Sequence, residues 1–391
     1  MPPERLSDVV IGERLRIARE SAKFTQADAA KAIDVARTTL VAIEQGQRRV
    51  KTDELQKLAA LYGTSANAIL RQEAVHLDMV PRFRKLSQSS NKTTEEAARL
   101  LNDLVSAEVE LENALGVRRA RNYPPERPLL PGDVRLQAEQ DAQELRDWLG
   151  LGPGPILDIV SLLDLQLDIR VYVRRLDGKV SGLFAYDDAV GACMLLNAVH
   201  PNERVIQTGG HELGHLTSTR REPEVLTVDE DFKSREERYA DAFGRCFLTP
   251  ARAVRQRFAE ITAGQSHLTR RHIILLAHAF GVSREAMVRR LEELALAKHG
   301  TWDWFQKNGG ISDDQAKQVL GDLPNRYTHT IGTQGLVPQR LALLAREAWK
   351  RELYSEGQLS RLLKLDRHQI RELLDGAESE ESEANELVKL S

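Results

Sequence analysis

Between residues 11 and 71 the apolar positions recur three and four residues apart in short runs separated by turn residues, a pattern that predicts five short helices. Ile11 to Arg19 is amphipathic, Thr25 caps Gln26 to Ile33, and Arg37 to Gln45 follows the tight connection Asp34-Val35-Ala36 and stops at Gly46. Thr52 caps Asp53 to Tyr62, Gly63 ends that helix, and Ser65 opens a last one reaching about Leu70. Ala27, Ala30, Ile33, Val35, Leu40 and Ile43 have the spacing that locks two short helices at a steep angle, which leaves Arg37, Thr38, Thr39 and Val41 facing outward.

Farther along, Thr93-x-x-Glu96 is a capping box. It opens a helix whose Ala97, Leu100, Leu101, Leu104, Val105, Val109, Leu111 and Leu115 recur at helical spacing up to Gly116. That face packs on a neighbour or pairs with a second copy, which makes a homodimer a candidate assembly. Pro124, Pro125, Pro128 and Pro131-Gly132 remove amide donors and predict a linker. Helical spacing returns from Val134 to Leu149 and from Ile156 to Leu165. Three β-rich runs follow, Asp168 to Arg174, Val180 to Tyr186 and Ala192 to Asn197, separated by turn residues as in antiparallel hairpins.

This small sheet leads into a helix carrying residues 211–215. Thr269 to Leu294 reads as two helices split at Gly281-Val282-Ser283, a structural pair or another helix-turn-helix, the former being commoner. Pro338 to Leu353 and Ser355 to Asp375 give three more helices. Arg361, Lys364, Arg367, His368 and Arg371 crowd one short stretch there, to be read as a DNA or partner contact or, more commonly, as a solvated face. The acidic tail has the composition of a disordered segment.

The expected fold is α+β and mostly helical, with a five-helix amino-terminal domain at 8–72, a helical spacer and Pro-rich linker at 73–132, and a sheet-containing domain at 133–300. A helical region at 301–376 and the tail at 377–391 complete it. The 391 residues suffice for two or three cores, and 29% charged against 41% hydrophobic residues with a net charge of −3 describe a globular protein, not a basic nucleic-acid coat. Residues 1–72 nevertheless hold 12 Lys and Arg against 9 Asp and Glu, a local excess of +3 that supports a DNA-facing surface. No run of about 18 apolar residues and no secretory layout at the start predict a cytoplasmic chain with no membrane contact. Cys193 and Cys246 stand in apolar surroundings without a ligand-spaced Cys or His, as reduced core thiols do.

The chemistry gathers at His211-Glu212-Leu213-Gly214-His215. Four-residue spacing puts both imidazoles on one helical face, able to share Zn²⁺, with Glu212 placed as a general base toward the water at the metal. A third ligand is required, and Glu237 offers it, beginning an E-x-x-x-D pattern in which Asp241 accepts a hydrogen bond from a ligating imidazole. Glu236, Glu230 and Asp231 are its rivals. Two imidazoles and a carboxylate also suit Mn²⁺ or Fe²⁺. Gly209 and Gly210 cost about 1 kcal/mol each inside a helix, so either the helix begins later or the site is pliable. Tyr239 points to another side of its helix from Glu237 and His200 is distant, which leaves a transition-state donor unassigned. The strand around Ser181 to Ala185 is a place where a peptide could add as a further strand.

The segment TQADAAKAIDVARTTLVAIEQGQRR, ending its second helix in Ile43-Glu44-Gln45-Gly46, resembles the helix-turn-helix of the XRE (Cro/CI-type) repressors. That resemblance implies DNA as a partner, with Arg37, Thr38, Thr39 and Val41 as major-groove readers and Gln26, Arg48 and Arg49 on the phosphates. Asp34 stands where the family usually has Gly and Ala36 where it has a Ser or Thr cap. Asp tolerates a left-handed backbone, and the missing cap costs about 1 kcal/mol.

Residues from about 134 to 295 resemble an ImmA/IrrE-type metallopeptidase. The match lies in Gly152 to Asp168, Ser181 to Ala185, the HELGH helix, Glu237-x-x-Ala240-Asp241-x-Phe243 running to Pro250, and Leu275 to Ser283 with Arg290-Leu291. The family's ligands fall on His211, His215 and Glu237, its base on Glu212, and Asp241 stands where Asn is commoner. Members cleave repressors or antitoxins, so the resemblance implies a transcription-regulating zinc protease whose substrate is such a protein. A regulator whose zincin-like domain senses metal or a ligand without cutting is the rival, and an antitoxin or phage-type regulator is a third reading.

Overall fold

Short helices with one apolar stripe hold only where the stripes meet, and the first residues of the chain do this. The computed structural model describes residues 7–62, 64, 66–70, 92–221, 224–227, 234–321 and 335–375. Gly63, Ser65, Glu230, Asp231 and the acidic tail therefore lie outside the described residues. The chain falls into two units, residues 1–78 with 106–118, and residues 79–105 with 119–391.

In the first unit α1 (Asp8–Ser21), α2 (Gln26–Ala32), α3 (Arg37–Glu44), α4 (Thr52–Leu61) and α5 (Ala66–Leu70) close around Leu15, Ala29, Ile33, Leu40, Ile43 and Leu58. Three local expectations change. Helix α1 starts earlier, at the Ser7 cap, whose Oγ accepts from Val10 N. Thr52 is the first helical residue and not the cap, because Glu54 reaches back to accept from the Lys51 amide at 3.0 Å. Ala27 is exposed, and its neighbour Ala29 takes the core place. The turn between α2 and α3 holds as expected: Asp34 is left-handed at φ 59°, and Ala36 leaves the start of α3 without a side-chain cap. Gly46 adopts φ 69°, and a Cβ there would lie 2.4 Å from the Val9 backbone.

Helix α6 (Lys92–Leu115) is shared between the two units. Leu101, Leu104, Val105 and Leu111 on the predicted apolar face are fully buried.

The second unit is built on a five-stranded mixed sheet, β1 (Arg170–Arg174), β2 (Val180–Asp187), β3 (Gly191–Asn197), β4 (Glu224–Thr227) and β5 (Gly335–Leu336), in the order β4-β2-β3-β1-β5. The expectation of successive hairpins is corrected here. Only β2 and β3 form one, with Leu183 opposite Leu195, whereas β1 runs parallel to β3 with Val171 beside Met194. The physical reason is burial: β3, buried at every position, takes the centre of the sheet, with the equally buried β1 on one side of it and β2 on the other.

Around this sheet pack α7 (Val134–Trp148), α8 (Ile159–Ser161) with one wider π-helical turn at Leu162–Gln166, α9 (Asn202–Ser218), α10 (Arg235–Leu248), α11 (Ala251–Ile261), α12 (Arg270–Phe280) and α13 (Arg284–Glu293). The helix expected from Ile156 thus starts only after the Asp158 cap and is broken into two short pieces. Val171, Met194, Leu196, Leu213, Phe243, Phe247, Leu276 and Met287 share one core. Arg146, fully buried on α7, fixes the glycine-proline loop by donating to the Gly152 carbonyl at 2.8 Å and to Phe247 O at 2.6 Å. Helices α14 (Thr301–Lys307), α15 (Asp313–Leu320), α16 (Gln339–Lys350), α17 (Glu356–Leu363) and α18 (Arg367–Asp375) complete the chain. Among the described residues no helix is long and apolar enough to cross a membrane.

Candidate metal centre and helix-turn-helix surface

Helix α9 runs unbroken from Asn202 through both glycines to Ser218, so the late start allowed by the sequence does not occur. The glycines are there for packing. A Cβ on Gly214 would lie 2.8 Å from Ala240 Cα, and one on Gly244 would lie 2.8 Å from the Gly210 carbonyl carbon and from the His211 amide nitrogen. Two small residues on α9 thus face two on α10, and the helices approach backbone to backbone. The close approach brings Glu237, in the first turn of α10, against the two imidazoles.

His211 Nε2 and His215 Nε2 are 3.1 Å apart, Glu237 Oε1 is 3.2 Å from His215 Nε2, and Oε2 is 3.4 Å from His211 Nε2. Donors bound at about 2.0–2.1 Å in a tetrahedron stand about 3.3 Å from one another. The three side chains therefore fit a Zn²⁺-sized ion in position as well as in chemistry, and all three are buried. The far ring nitrogens are held as well, His211 Nδ1 by Asp241 Oδ1 at 3.0 Å and His215 Nδ1 by Thr219 Oγ1 at 3.2 Å, so both Nε2 atoms turn inward. Glu212 lies fully buried on the same helix, with Gly182 of β2 so near that a Cβ there would stand 2.9 Å from Glu212 Oε1.

Two family models match the chain, a helix-turn-helix domain over residues 10–73 and, over residues 165–292, the IrrE N-terminal-like domain, a peptidase family. The HTH-type transcriptional regulator ImmR of Bacillus subtilis (strain 168) is 32% identical over 93 residues, 24% of this chain and 68% of that protein. The chain belongs to the XRE-type helix-turn-helix regulators and carries an ImmA/IrrE-type domain. A solved structure, ComR from Streptococcus suis, covers 97% of both chains at 13% identity, but its TM-score of 0.16 carries no likeness of fold.

Within the IrrE-type domain the electrostatics follow from the packing. Burial alone lowers the affinity of His211 for a proton, but its hydrogen bonds with Asp241 and Glu237 outweigh this and raise it to about 10. His215, buried beside His211, is pushed down, and Glu237 is held well below the carboxylate range by the two imidazoles in spite of its burial. Thr219, one turn beyond His215, was not foreseen; its signal is only its i+4 place at the helix end. Glu236 is not brought into the cluster. Tyr239 is fully buried and donates to Asp141 Oδ2 at 2.8 Å, and His200 Nε2 meets the Gly178 carbonyl at 3.0 Å, so neither offers a donor at the cluster. Cys193 and Cys246 are buried and in no disulfide; burial pushes the Cys246 thiol up to about 12.

The idea that a peptide adds to β2 also needs correction. Strand β4 of the same chain already pairs with that edge, with Leu183 opposite Val225 and Phe184 opposite Glu224. Helices α9 and α10 are joined by the loop carrying β4, and its backbone satisfies the amides that an edge strand leaves open.

On the helix-turn-helix, Arg37, Thr38 and Arg49 are exposed and Thr39 and Val41 half-buried. Gln26 donates to Glu44 Oε2 at 2.8 Å, and Arg48 makes a two-pronged pair with Glu54 at 2.9 Å on each arm. Glu44 in turn receives Arg19 at 2.6 Å, a buried tie between α1 and α3 for which the sequence pattern gave no sign.

Proposed function

We propose that this regulator is a metal-dependent endopeptidase that binds DNA through its amino-terminal helix-turn-helix and cleaves a repressor or antitoxin protein. The observation that supports it best is the convergence of His211 Nε2, His215 Nε2 and the Glu237 carboxylate at donor spacing, with Glu212 on the same helix. His211, His215 and Glu237 would hold Zn²⁺, or Mn²⁺ or Fe²⁺, which when bound supplies Lewis-acid polarisation of a peptide carbonyl and of water. Asp241 and Thr219 orient the imidazoles so that Nε2 remains the ligating atom. Glu212 takes the proton from the attacking water on its carboxylate and passes it to the leaving amine. Arg37, Thr38, Thr39 and Val41 read the major groove, and Gln26, Arg48 and Arg49 approach the phosphates. For Arg48 and Gln26 this requires a change of partner, since each is held by a carboxylate.

The full burial of Glu212 and His215 favours a second reading, in which the IrrE-type domain senses metal without cutting. One experiment separates the two. Wild type and Glu212→Gln are loaded with zinc and incubated with the repressors encoded beside this gene. The protease reading expects cleavage by wild type alone; equal cleavage by both, or none by either with zinc bound, overturns it.

A further inference from the structure

The carboxyl-terminal helices repeat the turn of the amino-terminal helix-turn-helix residue for residue. In the amino-terminal copy α2 follows the Thr25 cap, whose Oγ1 accepts from Asp28 N. It is closed by the left-handed Asp34, the apolar Val35 with its amide on Ala30 O, and Ala36 leading into Arg37. Likewise α17 follows the Ser355 cap, which accepts from Gln358 N. It is closed by the left-handed Lys364 at φ 53°, the apolar Leu365 with its amide on Ser360 O, and Asp366 leading into Arg367. Burial repeats as well. Ala29, Ile33, Leu40 and Ile43 of the first pair match Leu359, Leu363, Ile370 and Leu373 of the second. The start of α18 is the better capped of the two, because Asp366 and Gln369 exchange hydrogen bonds at 3.0 and 2.9 Å. Helix α16 supports it, with Arg346 Nε donating to Leu373 O at 2.6 Å.

Helices α12 and α13 share the same turn, with left-handed Gly281, then Val282 bonded to Ala277 O and the Ser283 cap. Their second helix, however, is used up inside the domain. Arg284 is held by Ser312 and Asp313, Arg289 by Glu285, Glu292 and Asp303, and Arg290 is buried against Glu139. Helix α18 differs in that its outward positions, corresponding to Arg37, Thr38 and Val41, are Arg367, His368 and Arg371. His368 is 81% and Arg371 65% exposed. Their ion pairs are loose, 3.5 Å to Glu372 and 3.6 Å to Glu356, while Arg367 and Arg361 make none among the described residues. Lys364 is turned away to Asp103 and is not part of this face.

We propose that α17 and α18 form a second helix-turn-helix whose α18 face, Arg367, His368 and Arg371 with Arg361 beside it, binds double-stranded DNA. Its geometry is independent of whether the IrrE-type domain cuts peptides. Arginine suits such a face because its fork contacts a guanine edge or a phosphate with two donors.

The test uses the full-length chain and a labelled 30-base-pair duplex of random sequence. On an Arg37→Ala/Arg49→Ala background, which weakens the amino-terminal face, binding that falls steeply with salt is expected to persist. Adding Arg367→Ala and Arg371→Ala should lower affinity at least about tenfold and flatten the logarithmic salt slope by about 2. The corresponding Lys pair should restore most of the slope. An unchanged affinity and slope, or loss of binding already complete in the background variant, overturns the proposal. So does a change of oligomeric state in sedimentation, which would make the face a contact between copies.

Discussion

The α2–α3 pair and the α9–α10 pair are both two helices in tight contact, yet they place their working residues on opposite sides of it. In α2–α3 an apolar base of Ala29, Ile33, Leu40 and Ile43 lies inside and Arg37 and Thr38 stand in solvent, so the surface can change while the base holds. In α9–α10 the side chains of His211, His215 and Glu237 lie within the contact, and Gly214 and Gly244 let the two helices come close enough for them to meet, while Glu212 is buried toward β2. Function and fold then depend on the same few ångströms. The first arrangement suits a surface retuned to a new sequence, and the second suits a fixed chemistry.

The comparison breaks most readily at the buried pair. Glu237→Gln is expected to weaken Zn²⁺ binding by more than about 100-fold while keeping the helical circular dichroism, and Asp241→Ala by about 10- to 100-fold. Competition with a chelator measures both; stoichiometric, tight zinc in the Glu237 variant would remove that side chain from the site.

Gly244→Ala comes next, because its methyl has to push backbone away from backbone. A loss of about 1–3 kcal/mol is expected, seen as a melting temperature lower by several degrees together with reduced zinc content. An unaltered melt would mean that the two helices do not approach so closely in solution.

On the outward face the expectation reverses. Arg37→Ala and Arg49→Ala should each leave stability within about 0.5 kcal/mol and reduce the salt slope of DNA binding by about 1 where a phosphate contact is lost. Unfolding by either would contradict the division between base and surface.

The smallest effect concerns pH. Glu54, paired with Arg48, titrates below the 4.5 of a free glutamate. A carboxylate depressed on folding adds stability above its unfolded value and loses it as the pH falls through its folded one. Melts of the amino-terminal unit should therefore drop below about pH 4.5, and Arg48→Ala should flatten that drop. An identical pH profile would show that the pair contributes nothing in solution.

The helices around Asp34 and Ala36 were legible because turn chemistry is local: a left-handed residue and an uncapped start leave their mark on one or two positions. The i, i+4 spacing of His211 and His215 was legible for the same reason. Thr219, the tie between Arg19 and Glu44, and the placing of β1 beside β3 were not, since each depends on what another part of the chain brings near. Gly209 and Gly210 cost an isolated helix stability, but in the packed one they let Ile159 and the Gly244 backbone come close, which helical propensity alone does not show.

By itself the sequence determined the mostly helical α+β class, the turns, and the residue types able to hold a metal ion or face DNA, because backbone preference and side-chain periodicity act over a few residues. Only the tertiary structure decided that Glu237 meets the two imidazoles, that β4 closes the edge of β2, and that the α18 face stays outward while that of α13 is consumed. Those outcomes depend on close packing between segments far apart in the chain, where a single methyl group decides whether two backbones can meet.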